Sequence, residues 1–268
     1  MRGEAEQKCL ELVRNSLNDS MFFATSIDDD QIIRNALKYA VPNSNSSEFP
    51  DFIFDGGFIE HFQVTSSATN RKGSMMAREK SSIEHDFEKK AQEATRDLPI
   101  NQITIQSVET EPYWHKAHSY ENFVSSFKSN FEHHIDSLRK YHGDNEHSIF
   151  LIEYTDSALL MNKKYTQDLM TEVAYGDLLS RENPTYRLSR DIELLKYIKE
   201  QSNFVHYVIF VSENCFHGTS IDIINSSNAL EIIKLLNGGY DFHCAMVGSS
   251  QFGIGVSIPN KKGDTSNE

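Results

Sequence analysis

The sequence predicts an α/β protein with a mixed central sheet flanked by helices, and three observations carry that prediction. Two apolar stretches, SIFLIEYTD (148–156) and FVHYVIFVS (204–212), are continuous enough to be central strands. Around them run segments whose apolar residues recur three and four apart, the spacing of one helix face. Between Phe49 and Ser67 the stretch FPDFIFDGGFIEHFQVTSS reads as two strands joined by a glycine turn. Strands that alternate with helices build a sheet whose faces are covered by those helices.

In chain order, Gly3 to Leu17 places Leu10, Val13 and Leu17 on one stripe among glutamates, predicting an amphipathic helix. MFFATSI (21–27) is short, apolar and partly β-branched, and reads as a first strand. Asp28, Asp29 and Asp30 suit the positive end of a helix dipole; Ile32, Ile33, Ala36, Leu37 and Ala40 supply its apolar stripe, and Pro42 ends it. After the polar linker NSNSSE comes the hairpin, then a long helix from about Ser74 to Asp97, stopped before Pro99. INQITIQSV (100–108) alternates apolar and polar residues as a half-buried strand does. With the Asp28–Ala40 helix set aside as an insertion, the order to Val108 is αβββαβ.

The second half opens with a predicted helix near Tyr120 to Tyr141, followed by the strand SIFLIEYTD. Helices are predicted at Asn162–Leu179, Ser189–Gln201 and about Ala229–Leu236, with strands at FVHYVIFVS, FHCAMVG and GIGVSIP; the tail from Asn260 is polar and expected to be disordered. The boundaries that follow are a core over 1–110, an α/β extension over 111–260 that can complete the same sheet, and a tail over 261–268.

Composition narrows the function classes. With 38% hydrophobic and 24% charged residues the chain is of ordinary globular type, and no apolar run approaches the roughly 20 residues of a membrane span. The charged opening MRGEAEQKCLEL lacks the apolar run and small-residue cleavage site of a secretory signal, so a cytoplasmic protein without a membrane partner is expected. Cys9, Cys215 and Cys244 are widely spaced and form no CxxC pair, which indicates neither a disulfide framework nor a cysteine zinc site. The net charge of −13 argues against non-specific coating of nucleic acid. Arg71 to Lys90 is a mildly basic island, which a solvated helix face with mixed charges would equally produce.

The chemistry-bearing residues gather in the hairpin. Hydrolysis of a phosphodiester at neutral pH calls for a divalent cation that organises water and neutralises charge, and Mg²⁺ takes carboxylate oxygens. Asp51 on the first strand and Glu60 on the second are two such carboxylates, if they share a face. A two-residue turn at Gly56 and Gly57 groups Asp51, Asp55 and Glu60 and sends His61 and Gln63 to the other side; a three-residue turn sets Asp51 opposite His61, with Gln63 converging. Elsewhere, His115, His118, His133, His134, His142 and His147 form no zincin pair, GSSQFGIGV lacks the Lys-Ser/Thr of a phosphate-binding loop, and Glu153 and Asp156 close a central strand with no partner that the sequence names.

These residues resemble the PD-(D/E)xK nuclease superfamily. The αβββαβ order, the FPD start of a strand, the turn, and IEHFQVTSS are similar to its core, in which an aspartate on one strand precedes an acidic-x-lysine motif on the next. The opening GEAEQKCLEL is similar to its first helix, which makes Glu6 the position of a glutamate near the metal. The resemblance covers Met1 to Val108 and departs from the pattern at one place: Phe62 stands where a lysine should follow Glu60, or else Gln63 replaces the lysine and His61 the acid. It implies a restriction-endonuclease-like fold and Mg²⁺- or Mn²⁺-dependent hydrolysis of nucleic acid, DNA foremost, in restriction, phage defence or repair in a bacterial cell. The implied metal ligands are Asp51, Glu60 and His61, with Gln63 orienting water or phosphate and Glu6 assisting. The other reading left open is a non-catalytic module of the same fold that binds a protein partner or a second copy of itself.

Overall fold

In the computed structural model, the described residues are 3–18, 21–45, 48–67, 69–70, 73–74, 85–86, 88–90, 92–93, 113–114, 118–156, 158–164, 186–214, 218–235, 239–244 and 246–247. They form a mixed α/β structure around a seven-stranded sheet. Along the chain run α1 (Glu4–Ser16), β1 (Phe22–Phe23), α2 (Ile27–Tyr39), β2 (Val41–Pro42), β3 (Phe52–Phe54), β4 (Gly57–Val64), β5 (Thr69–Asn70), β6 (Gly73–Ser74) and β7 (Tyr113–Trp114). Then come α3 (Tyr120–Leu138), β8 (His147–Tyr154), β9 (Leu159–Lys164), α4 (Ile192–Glu200), β10 (Tyr207–Asn214), β11 (Gly218–Asn225), α5 (Ala229–Leu235), β12 (Gly239–Cys244) and β13 (Met246–Val247).

The sheet order is β1-β11-β10-β8-β4-β3-β2. Its centre is parallel, with β4, β8 and β10 running together, while β3 and β11 flank them antiparallel. Of the αβββαβ order expected over 1–108, β1 lies at the sheet edge beside β11, away from β3 and β4, and the last strand, 100–108, lies outside the described residues.

Each side of the sheet is sealed by its own apolar cluster. Phe58, Phe62, Phe150, Ile152 and Tyr154 face a cluster that includes Phe123, Phe127, Phe131, Ile135 and Leu138, the stripe of α3 at spacings of three and four. Ile59, Ile149, Leu151 and Ile209 face the other cluster, with Cys9, Leu10 and Val13 of α1 and Ile33, Ala36 and Leu37 of α2. Strand alternation therefore fixes where the polar residues go: Glu60 shares the α3 side with Phe58 and Phe62, while His61, Gln63 and Glu153 share the α1 side with Ile59 and Leu151.

Local chemistry locks the two helices on that side. Ser26 and Asp29 form a reciprocal cap at the start of α2, Asp29 N donating to Ser26 Oγ and Ser26 N to Asp29 Oδ2. Asp29 also accepts from Tyr207 Oη at 2.7 Å and Asn225 Nδ2 at 3.0 Å, which fastens α2 to β10 and β11. Arg14 of α1 donates to the carbonyls of Leu37 and Ala40 at the end of α2, satisfying groups a helix terminus leaves open.

Several elements differ from their expectations. Asn162 to Lys164, expected in a helix, belong to β9 and pair with β12. β11 carried no strand prediction, because polar Thr219, Ser220 and Asp222 interrupt its apolar residues; the Asp222 carboxylate is buried and paired with Arg187 and the Ser189 amide. MFFATSI contributes only Phe22 and Phe23 to the sheet. The predicted strand 100–108, the helix 165–179, GIGVSIP and the tail lie outside the described residues, as does most of the basic island and of the 74–97 helix, of which residues 85–86, 88–90 and 92–93 are helical.

The chain divides into two compact units, Met1–Ser67 with His118–Cys244, and Ala68–Ala117 with Ala245–Glu268. The first holds the seven-stranded sheet and the β9–β12 pair; the second holds the pairs β5–β6 and β7–β13. β8, β10 and β11, from the stretch read as an extension, lie in the same sheet as β3 and β4 of the predicted core.

Candidate functional site

The hairpin turn is neither of the two expected from the sequence. Phe54 pairs with Gly57, so the two turn residues are Asp55 and Gly56, and Ile53 pairs with Phe58. Gly56 has φ +88, which suits glycine in a tight hairpin. Gly57 is needed for another reason: a Cβ there would collide with the carbonyl oxygen of His147 on β8. Continuing the register one residue past Phe52↔Ile59 sets Asp51 level with Glu60.

Asp51 and Glu60 are joined through the backbone. Asp51 N donates to Glu60 Oε2 at 3.0 Å, and His61 N donates to Asp51 Oδ2 at 2.8 Å. Having left β3, the chain thus uses the Asp51 carboxylate in place of a backbone carbonyl to satisfy β4. Burial pushes the Asp51 carboxyl up to about 6, the charge of Glu60 adding to it and the His61 amide opposing it. Burial likewise lifts Glu60 to about 7 against the hydrogen bond from the Asp51 amide. Glu6, on α1, raises both further by its charge.

The α3 side gives Glu60 a partner the sequence reading did not assign. His134 Nδ1 lies 2.7 Å from Glu60 Oε1, and its ring stacks on Phe62 at a centroid distance of 4.5 Å. Burial lowers His134 to about 4, with the charge of Asp51 opposing. The ring is therefore neutral near pH 7 and shares a proton contact with Glu60 without adding a full positive charge.

On the α1 side, His61 and Gln63 turn away from Glu60. His61 Nε2 lies 3.2 Å from Glu153 Oε2, and Gln63 Nε2 donates to the same oxygen at 2.7 Å, across the register pair Gln63↔Glu153. Burial works to raise Glu153, and the hydrogen bonds from His61 and Gln63 outweigh it, holding the carboxyl below its usual range. Cys9 of α1 completes this group: one ligand atom each of Cys9, His61 and Glu153 lie within 4.8 Å of one another, the one such group of three among the described residues.

The predicted site residues thus fall in two neighbouring sets, Asp51 and Glu60 with Glu6 and His134, and His61 and Gln63 with Glu153 and Cys9. Asp55 is an exposed turn residue. Thr65 and Ser66 are committed to Asp156, whose Oδ2 accepts from Thr65 Oγ1 at 2.6 Å and Ser66 N at 2.7 Å, while Ser66 Oγ meets His118 Nδ1 and Tyr154 Oη. Among the described residues no helix is long and apolar enough to cross a membrane. No family model, no curated protein and no solved structure matches this chain.

Proposed function

We propose that this chain is a divalent-metal-dependent hydrolase of nucleic-acid phosphodiesters, with Asp51 and Glu60 as the metal-binding carboxylates. The observation that carries the reading is that two acids from adjacent strands are held side by side in a poorly solvated place, where burial and the charge of Glu6 disfavour both carboxylates and leave them in need of a counter-cation. Hard oxygen donors of this kind fit Mg²⁺ or Mn²⁺. A bound ion supplies neutralisation of the phosphate and an activated water.

The chain's own residues do the rest. The His61 amide fixes the Asp51 carboxylate, and the Asp51 amide fixes that of Glu60. His134 holds Glu60 from behind and can keep or return one proton at Oε1. Glu6 adds negative potential that draws a cation in. The hairpin's place within a mixed sheet, β4 pairing antiparallel with β3 and parallel with β8, is compatible with a nuclease-like core.

Supercoiled plasmid incubated with Mg²⁺ or Mn²⁺ tests this. Cleavage is expected, and Asp51→Asn and Glu60→Gln should abolish it, whereas His134→Ala, acting through Glu60, should lower it by roughly 10- to 100-fold. No cleavage of DNA or RNA with either metal would favour the second reading, a non-catalytic module. Two observations favour that one: Phe62, in the place of the lysine, is buried and stacked on His134, and Gln63 is occupied by Glu153.

A further inference from the structure

We infer that Cys9, His61 and Glu153 form a second metal site, distinct from the acidic pair and selective for a divalent transition ion of the Zn²⁺ type. It does not rest on the hydrolase reading, since a chain without that activity would hold the ion equally well.

The three side chains come from α1, β4 and β8, and all are buried, at 3%, 7% and 9% exposure. Their ligand atoms lie within 4.8 Å of one another, and His61 Nε2 is already 3.2 Å from Glu153 Oε2. In a tetrahedral site with Zn–N and Zn–O of ~2.0 Å and Zn–S of ~2.3 Å, ligand atoms stand roughly 3.3 to 3.6 Å apart. The imidazole and carboxylate are therefore at binding separation, and the Cys9 thiol needs only a small inward movement.

The donor set chooses the ion. Thiolate and imidazole favour Zn²⁺ and its neighbours over Mg²⁺, which takes oxygen and water. On binding, Cys9 Sγ loses its proton to solvent, and the imidazole proton moves from Nε2 to Nδ1 as Nε2 takes the metal. A thiolate and a carboxylate then balance the two charges of the ion, so the buried site ends neutral. Gln63 Nε2, donating to Glu153 Oε2, plays the outer-shell part that orients a ligating carboxylate.

The site ties α1 to the sheet. Glu6 lies one turn before Cys9 on the same helix face, so a bound ion fixes the helix that carries charge to Asp51 and Glu60.

Titration of the chelator-stripped full-length chain with Co²⁺, read by absorbance, tests the site. One equivalent should give the visible bands of four-coordinate Co²⁺ and a near-ultraviolet thiolate charge-transfer band, both lost when Zn²⁺ displaces it. Cys9→Ser should remove the charge-transfer band and Glu153→Gln should weaken Co²⁺ binding at least tenfold. Cys215→Ser with Cys244→Ser, which keeps Cys9 as the single thiol, should leave both untouched. Absence of the thiolate band in the folded wild-type chain would overturn the site without bearing on plasmid cleavage. So would a band that survives Cys9→Ser, or one lost in the double cysteine variant.

Discussion

Asp51 and Glu60 hold their protons more tightly in the folded protein than in water, and this ties stability to pH. Asp51 is raised from 3.8 to about 6, so between those values the folded state binds more protons than the unfolded chain. Its contribution is full below about pH 3.8 and is lost as pH rises through about 6. In chelator, Asp51→Asn should therefore melt higher than wild type at pH 7.5, with the gap closing as pH falls to 4; a gap independent of pH would contradict the raised pKa. Mg²⁺ or Mn²⁺ at pH 7.5 should raise the wild-type melting temperature and leave Asp51→Asn unmoved. At this scale the sequence displayed Asp51, Glu60, His61 and Gln63 because they sit within one hairpin. Glu153 was visible only as a polar end of a strand, Cys9 only as one of three widely spaced cysteines, and His134 only as one histidine among several. Their roles depend on α1, α3 and β8 packing against β4, and no local pattern encodes those contacts.

The hairpin shows how an element is decided by its neighbours. DGG marks a turn, but three consecutive residues allow more than one two-residue choice. Gly57 is drawn into β4 by its close approach to His147 on β8, a contact that the hairpin sequence does not contain. Two substitutions separate the glycine roles. Gly56→Ala forces an alanine to φ +88 and should cost about 1 kcal/mol. Gly57→Ala puts a Cβ against main chain that cannot swing aside and should cost about 1 to 3 kcal/mol or more. Urea unfolding should rank Gly57→Ala as the worse; the reverse order would mean that β4 and β8 can part at that end. Helices α1, α2, α3 and α5 lie close to their predicted bounds because their apolar stripes are strongly periodic. Asn162–Lys164 differ from the expected helix because LLMNKK offers no alternation, and the strand state of β9 comes from pairing with β12.

For the sheet-bearing unit as a whole, β4, β8 and β10 separate two apolar clusters that do not share side chains. Phe131→Ala in the α3 cluster should cost about 3 to 5 kcal/mol and Ile33→Val in the other about 0.5 to 1.5 kcal/mol. Because the sheet lies between them, the double variant should equal their sum to within about 0.5 kcal/mol, as urea unfolding would show; a larger discrepancy would mean that the two layers repack together. The α/β class was legible from the two continuous apolar strands and the helical stripes. The strand order was not, since β8 joins β4 across a long stretch of chain. That stretch leaves and returns at adjacent points: Ser67 bridges to His118, and Ser119 N donates to Ser66 O at 2.9 Å. The sheet therefore closes its own hydrogen bonding around the gap, and chain length there is a free variable. Exchanging 68–117 for a short flexible linker should preserve cooperative folding of the seven strands, which makes this junction a natural port for grafting, trimming or replacing whatever the protein carries between them.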